Sequence, residues 1–431
     1  MSDSIRILAS GDSFTTRRIP KNYPGREELQ ALIEAHDVSF NNLEMTYHYS
    51  EGAPAAFSGG TWAMADPATL DDMNALGFNL YNTANNHSMD YGPDGLMATV
   101  RHLKERDMPF SGTGGNLYEA GRAAYLETDH ARVALIGVTA DFHDSDLAGP
   151  QGPVMQGRPG VNGLRVETSY LVPEESFRAL QELVQKTNMN YYEEYGAKLG
   201  YVRPAPEGQL TMKGLRFTRS DRFGSQTRCN KKDLDRILTE VKEASLQADY
   251  VMVSVHTHLG LPENYIDAPE FLEEFAHKCV EAGADAVLGH GPHELRGIEI
   301  YQGKPIFYSL GNFIFETETV ERQPAEAFQN KGLPADTGIA AYMEERSDHG
   351  RRGYGIMPSI WFSVLPSWTV TERQVREIRL YPITLGMDLP RSRKGLPRLQ
   401  RDDKVLEYLG QLCERYGTKI EIEDGVGIIR L

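Results

Sequence analysis

Short apolar runs alternate along this chain with longer amphipathic stretches, and the apolar runs keep ending at polar residues able to do chemistry. Ile5-Arg6-Ile7-Leu8-Ala9-Ser10 reads as a strand and is followed by Gly11-Asp12. Val38-Ser39-Phe40-Asn41-Asn42-Leu43 runs into Glu44, and the run over 78–84 ends at Asn85-Asn86-His87. The stretch 250–255 is almost continuously apolar, as in a strand buried on both faces, and ends in His256-Thr257-His258. Ala286-Val287-Leu288 leads into Gly289-His290-Gly291-Pro292-His293. Between these runs the period lengthens to that of helices. Helices are predicted over 25–35, after Asp66-Pro67 as far as Gly77, and over about 93–106, 174–186, 233–248 and 269–282, with Gly283 closing the last. Strand pairs are expected at 124–127 with 133–138, and at 298–301 with 305–308. Strands that alternate with helices make an α/β fold.

Two segments break the alternation. Residues 141–232 carry glycines, prolines and the arginines Arg158, Arg165, Arg216, Arg219, Arg222 and Arg228, with one good helix. This segment reads as an insertion over the active face, not an independent domain. Residues 317–355 are polar and irregular and form a candidate lid. A strand pair follows at 359–365 and 375–381. The last stretch, 386–431, holds a helix over 403–416 and a hairpin turned at Asp424-Gly425. The expected division is one catalytic unit over 1–385, containing both segments, and a helix-hairpin extension over 386–431.

Composition narrows the function classes. With 431 residues, 40% apolar and 25% charged, the chain can bury a large core and falls in the soluble globular class. A net charge of −16 argues against a nucleic-acid or anionic-membrane surface. It leaves an anionic substrate open, because a metal site overrides the global field. No stretch reaches the ~18–20 apolar residues of a membrane span, and the opening MSDSIRILASGDSF has no secretory pattern. Cys229, Cys279 and Cys413 lie far apart and lack metal-type spacing. They fit structural thiols in a reducing compartment, so a cytoplasmic location is expected. The oligomeric state stays open.

The candidate chemistry lies at the strand ends. Gly291 and Pro292 exclude a regular helix between His290 and His293 and force a turn that can aim both imidazoles at one point. Asp12, Glu44, Asn86 with His87, His256, His290 and His293 together offer oxygen and imidazole donors. That set suits one or two divalent first-row ions, Mn, Zn or Fe, better than Mg alone. Thiols are missing from it, which speaks against a structural zinc site. A bridging carboxylate can hold two ions ~3.5–4 Å apart. His87, beside a ligand asparagine, is placed to protonate a leaving group. His258 shares a strand face with His256, so either or both can ligate. Arg158, Arg165, Arg219, Arg222 and Arg228 are candidates to contact an anionic substrate; pairing with the chain's own carboxylates is the competing expectation. Gly112-Thr113-Gly114-Gly115 lacks the spacing of a phosphate-cradling loop.

The motifs Gly11-Asp12, Asn42-Leu43-Glu44, Ala84-Asn85-Asn86-His87-Ser88-Met89-Asp90-Tyr91-Gly92, Val255-His256, Gly289 to His293 and Tyr308-Ser309-Leu310-Gly311-Asn312-Phe313 together resemble the CapA family. These are poly-γ-glutamate capsule biosynthesis proteins within the calcineurin-like metallophosphoesterase superfamily. The resemblance implies a metallophosphoesterase-like β-sandwich flanked by helices. By motif, Asp12 would bind one metal and Glu44 would bridge. Asn86, His256 and His290 would bind the second metal, His293 would return to the first, and His87 would be the general acid. Phe14 stands where the superfamily usually has a histidine, and Glu44 where it usually has an aspartate. The first metal position thus has one ligand fewer, which leaves one or two ions open. The implied function is a metal-dependent hydrolase that cleaves a phosphoester or γ-glutamyl amide of an anionic small molecule or polyglutamate. The alternative is a non-catalytic metal-binding subunit of a polyglutamate-assembling complex.

Overall fold

The computed structural model describes residues 4–431. Two mixed sheets carry the fold. The larger has ten strands. At its centre Ser4–Phe14 runs parallel to Val38–Leu43 on one side and to the short Asn312–Phe315 on the other. Leu80–Asn82 and Phe110–Ser111 continue the parallel half. Phe362–Thr371 joins antiparallel and begins the other half, which ends in the strands Glu421–Glu423 and Val426–Arg430. The second sheet has six strands. Arg132–Thr139, Tyr250–His256, Ala286–His290 and Lys304–Phe307 are parallel within it, and Ala124–Glu127 and Ile298–Tyr301 form antiparallel edges.

Side-chain alternation explains how the sheets stack. Ile5, Ile7 and Ala9 from the first sheet share one apolar cluster with Val133, Leu135, Tyr250, Met252, Ala286 and Leu288 from the second. The residues between them point the other way. Leu8 packs with helices Arg26–Glu34 and Ala68–Asn74. Ala134, Val251, Val253 and Val287 pack with Lys231–Gln247 and Glu270–Ala282. Each sheet therefore has one face on its partner and one face under helices. Helix Asp403–Cys413 adds Val405, Leu406 and Leu409 to the shared cluster, so the C-terminal segment is packed into the same core.

Residues 141–232 contain a four-stranded sheet of their own, in the order Gln209–Met212, Leu215–Ser220, Val166–Pro173, Gly224–Cys229. It attaches to the start of helix Glu270–Ala282, where Thr227 Oγ1 donates to Glu270 at 2.8 Å and Cys229 N to Glu274 at 3.1 Å. The 317–355 segment holds two short helices, Ala325–Gln329 and Ile339–Arg346. No helix among the described residues is long and apolar enough to cross a membrane.

One difference from the sequence reading bears on the site. The first strand does not stop at Ser10; it runs on to Phe14 through a register shift between Ala9 and Asp12. Asp12 is thus held inside a strand at a bulge, a device that re-aims a side chain, and not in a turn beyond the strand. Gly11 makes this possible. A Cβ there would lie 1.9 Å from the carbonyl oxygen of Gly311, on the neighbouring strand's approach.

Candidate metal centre

The carboxyl ends of the parallel strands of both sheets meet at one point, where open α/β folds keep their ligands. From the first sheet come Asp12 and Glu44, and from the second His256 and His290, each the last residue of its strand. His293 follows in the turn after His290, in the left-handed region at φ 63°. All five side chains are buried.

Asp12 is the hub. Its Oδ1 accepts from Asn42 Nδ2 at 2.7 Å and lies 3.4 Å from His290 Nδ1 and 3.7 Å from His256 Nδ1. Its Oδ2 accepts from Gly291 N at 3.0 Å and lies 3.5 Å from His293 Nδ1. Glu44 faces the same space: Oε1 is 3.7 Å from His256 Nε2, and Oε2 is 3.9 Å from His293 Nδ1. Three overlapping groups have ligand atoms close enough to hold an ion: Asp12 with His256 and His290, Asp12 with Glu44 and His293, and Glu44 with His256 and His258. His258 thus joins the cluster through Glu44, and its Nδ1 is held by Asp141 at 2.7 Å.

The unpaired atoms indicate what this space is for. Both oxygens of Glu44, Nε2 of His256 and Oδ1 of Asn86 are buried without a hydrogen-bond partner. The Asn86 amide nitrogen is spent on Gly59 O at 2.8 Å, leaving the oxygen free. Buried polar groups are normally satisfied, and an orphan costs free energy. A divalent ion would satisfy the Glu44 oxygens and the His256 nitrogen together, so that donor set fits a metal.

Protonation supports the same use. Burial on its own would raise the Asp12 carboxyl, but contact with His293 and the imidazoles of His256 and His290 outweighs it and holds Asp12 below the usual carboxylate range. Burial, followed by the charges of Asp12, Asp90 and Asp141, pushes Glu44 well up. Burial also depresses His256 strongly, His293 less, and His290 to about 4. The three imidazoles are therefore neutral at pH 7, with lone pairs available to a metal. A cation would offset the carboxylate repulsion that raises Glu44.

Neighbouring side chains fix the candidate ligands. Ser254, two residues before His256 on the same strand face, meets His290 Nε2 at 2.6 Å. Asn312 Oδ1 meets His293 Nδ1 at 2.9 Å, and its Nδ2 donates to His293 O at 3.1 Å. That double contact holds the histidine in its left-handed backbone. His87 stands apart from the ligand groups. Its Nδ1 is 2.7 Å from Asp90 Oδ2, and Asp90 is anchored by Gly59 N and Ala63 N at 2.9 and 2.7 Å. Phe14 sets its ring 5.1 Å from that of His87.

Several residues at the site had no role in the sequence reading. Asn42 and Asn312 lay within recognised motifs, but their contacts were not legible there. Asp141 follows a strand with no motif around it. Tyr354, from the irregular 317–355 segment, packs its ring 5.2 Å from that of His293. Burial and the nearby Glu44 carboxylate push its phenol up to about 12. Arg296 is fully buried and donates from Nη2 to Tyr265 O at 3.0 Å.

Arg165 forms a two-pronged pair with Asp233 at 2.7 and 2.8 Å, and Arg219 reaches Glu174 at 3.3 Å. Arg158 donates to Leu147 O at 3.1 Å, and Arg228 to Gln226 at 3.4 Å. Arg222 is exposed, and its recorded contact is through its backbone N to Ser220.

Comparison with known proteins agrees with the motifs. Protein y4sH of Sinorhizobium fredii is 33% identical over 450 residues, covering 100% of this chain and 94% of the relative. The capsule biosynthesis protein CapA of Bacillus anthracis is 26% identical over 255 residues, 58% of this chain and 44% of its own length. A probable polyglutamine synthesis accessory protein of Mycobacterium tuberculosis is 25% identical over 303 residues, 69% of this chain and 61% of the relative. Among solved structures, GAP50 of the Plasmodium inner membrane complex aligns with a TM-score of 0.28 at 8% identity, covering 88% of this chain and 84% of the other. The family model described as bacterial capsule synthesis protein PGA_cap matches residues 6–317, which span all the ligand groups, and the chain belongs to that family.

Proposed function

We propose that this protein is a metal-dependent hydrolase acting on an anionic substrate, with a γ-glutamyl amide or a phosphoester as the bond cleaved. The observation that carries this reading is the set of buried, unpartnered donors of Glu44, His256 and Asn86 beside an independently anchored His87–Asp90 pair. Asp12, Glu44, Asn86, His256, His290 and His293, with His258 as a further donor, would hold one or two ions of Mn, Zn or Fe. Such ions, when bound, lower the pKa of a coordinated water toward neutrality and stabilise an anionic transition state.

The chain's own residues supply the rest. Asp90 orients the His87 ring through Nδ1, which leaves Nε2 as the atom to give a proton to the leaving nitrogen or oxygen. Ser254 and Asn312 keep His290 and His293 aimed at the ions. Two sheets packed face to face under helices suit the metallophosphoesterase-like sandwich that the motifs imply. The names of the CapA and accessory-protein relatives support a place near polyglutamate synthesis. Within the insertion, Arg158, Arg222 and Arg228 are the candidates to guide a long acidic chain, since Arg165 and Arg219 are committed to carboxylates.

A second reading is a non-catalytic metal-binding subunit of a polyglutamate-assembling complex. Phe14 at a usual ligand position favours it, as does the word accessory in a relative's name. Metal analysis of the purified protein, with turnover assays on a generic phosphodiester and on a γ-glutamyl peptide, separates the two. Bound metal with turnover of either substrate is the expected result. Bound metal with no turnover of either would replace the hydrolase by the scaffold.

A further inference from the structure

A cavity of about 230 Å³ lies within the 317–357 segment, walled by Thr317, Met343, Gly353, Tyr354 and Met357, with Arg346 beside them. Tyr354 is its link to the metal centre: the same ring that lines the cavity packs against His293 at 5.2 Å and against Phe315 at 5.4 Å. The cavity and the ligand cluster therefore lie on either side of one aromatic ring.

Its charges are uneven. Glu318, at the rim, is held by Arg391 at 3.5 Å and Lys394 at 3.4 Å, and Glu344 by Arg391 at 2.7 Å. Arg352 spends its guanidinium on the backbone, donating to Arg346 O at 3.0 Å and Glu345 O at 2.8 Å. Arg346 has no ion pair among the described residues, and its Nη1 is buried with no hydrogen-bond partner. A guanidinium that lines a cavity without a carboxylate of the chain beside it is open to one from a ligand, through a charge-assisted bond.

The walls narrow the choice of anion. Methionine, tyrosine and glycine surfaces line it beside two guanidiniums, of which Arg352 is held by backbone carbonyls, and beside Glu318, which Arg391 and Lys394 already pair. A phosphate is best served by several converging donors; a carboxylate on a short methylene stem needs one cation and apolar walls. A glutamyl unit has that shape.

We propose that this cavity is a carboxylate subsite of the metal centre, in which Arg346 receives the carboxylate of one glutamyl unit while the adjoining linkage lies past Tyr354 at the ligand cluster. The proposal rests on the reading of the centre as one that handles an anionic, glutamate-containing chain. It makes Arg346 a specificity residue and gives the 317–357 segment a binding role.

The test reads binding, not turnover. Calorimetric titration of the Mn-loaded full-length protein with a γ-linked glutamate trimer should give saturable binding. Arg346→Met should weaken it about 10–100-fold, the loss expected for one charge-assisted hydrogen bond, with metal content and melting temperature unchanged. Arg346→Lys should recover part of the loss. The trimer esterified at every carboxylate should bind the unmodified protein at least as weakly as the trimer binds Arg346→Met, and this arm does not depend on any variant folding. Inorganic phosphate should compete poorly. No binding of the trimer, equal binding by Arg346→Met, equal binding of the ester, or strong competition by phosphate would each overturn the subsite. A trimer that binds through Arg346 but is never cleaved would keep the subsite and remove the hydrolase.

Discussion

The contact at 2.7 Å occupies Nδ1 of His87 with the Asp90 carboxyl. Nε2 is then the nitrogen available to a substrate. A positioned general acid is typically worth ~10²–10⁴ in rate. His87→Ala should therefore keep its fold and its metal while losing roughly two to four orders of magnitude in turnover. A substrate with a much better leaving group should recover most of that loss. Metal loss in this variant, measured by elemental analysis, would make His87 a ligand and remove it from the acid role. Asn312 offers the complementary case. It contacts no substrate, yet holds both the ring and the backbone carbonyl of His293. Residues that orient a metal ligand typically contribute about 10–100-fold in metal affinity. Asn312→Ala should show that loss in a chelator-competition titration and lower turnover only through occupancy. Restoring turnover at saturating metal would support this assignment.

The elements show how much of the site the sequence made legible, and why. Strands that end in a ligand, such as Tyr250–His256 and Ala286–His290, were readable because an apolar run stops at a polar residue. The bulge that aims Asp12 was not, because an extra residue in a ladder leaves the hydrophobic alternation around it unchanged. The longer helices were readable from period and caps, but Tyr191–Lys198 and Ile339–Arg346 were not; strand lengths were not readable either, and the third predicted strand shrinks to Leu80–Asn82. Asp141, Tyr354 and Arg346 come from stretches without periodicity, so only tertiary packing brings them near the centre. The bulge makes its own prediction. A methyl group at position 11 would collide with backbone, which cannot swing aside as a side chain can. Gly11→Ala should cost on the order of 1–3 kcal/mol or more in stability, and should separate Asp12 from Gly291 N. Chemical denaturation reads the first effect and metal titration the second. A variant of native stability and affinity would mean that the two strands can part without consequence.

At the scale of the whole molecule, the ligands come from both sheets. Asp12 lies in the ten-stranded sheet and Glu44 directly follows one of its strands, while His256 and His290 end strands of the six-stranded one and His293 sits in the turn beyond. A bound ion would therefore cross-link the two layers at the open end of their shared apolar core. The inserted sheet over 166–229 supplies no ligand to these groups. Anything that binds the folded state alone stabilises it by mass action, about 4 kcal/mol when the free ion is a thousand times its Kd. For a chain of 431 residues the unfolding entropy is about 0.9 kcal/mol/K. Saturating Mn or Zn should thus raise the melting temperature by roughly 4–5 °C for each such site, and chelator should reverse it. The double variant His290→Ala with His293→Ala should begin lower and show no increment. Hydrogen exchange gives the spatial form of the same expectation. Added metal should slow exchange in Ser4–Phe14, Tyr250–His256 and Ala286–His290 together, since one ion ties their ends, and leave Leu215–Ser220 unaffected. Slowing confined to one sheet would mean that the ion is held by that sheet alone and that the ligand set drawn across both layers is wrong.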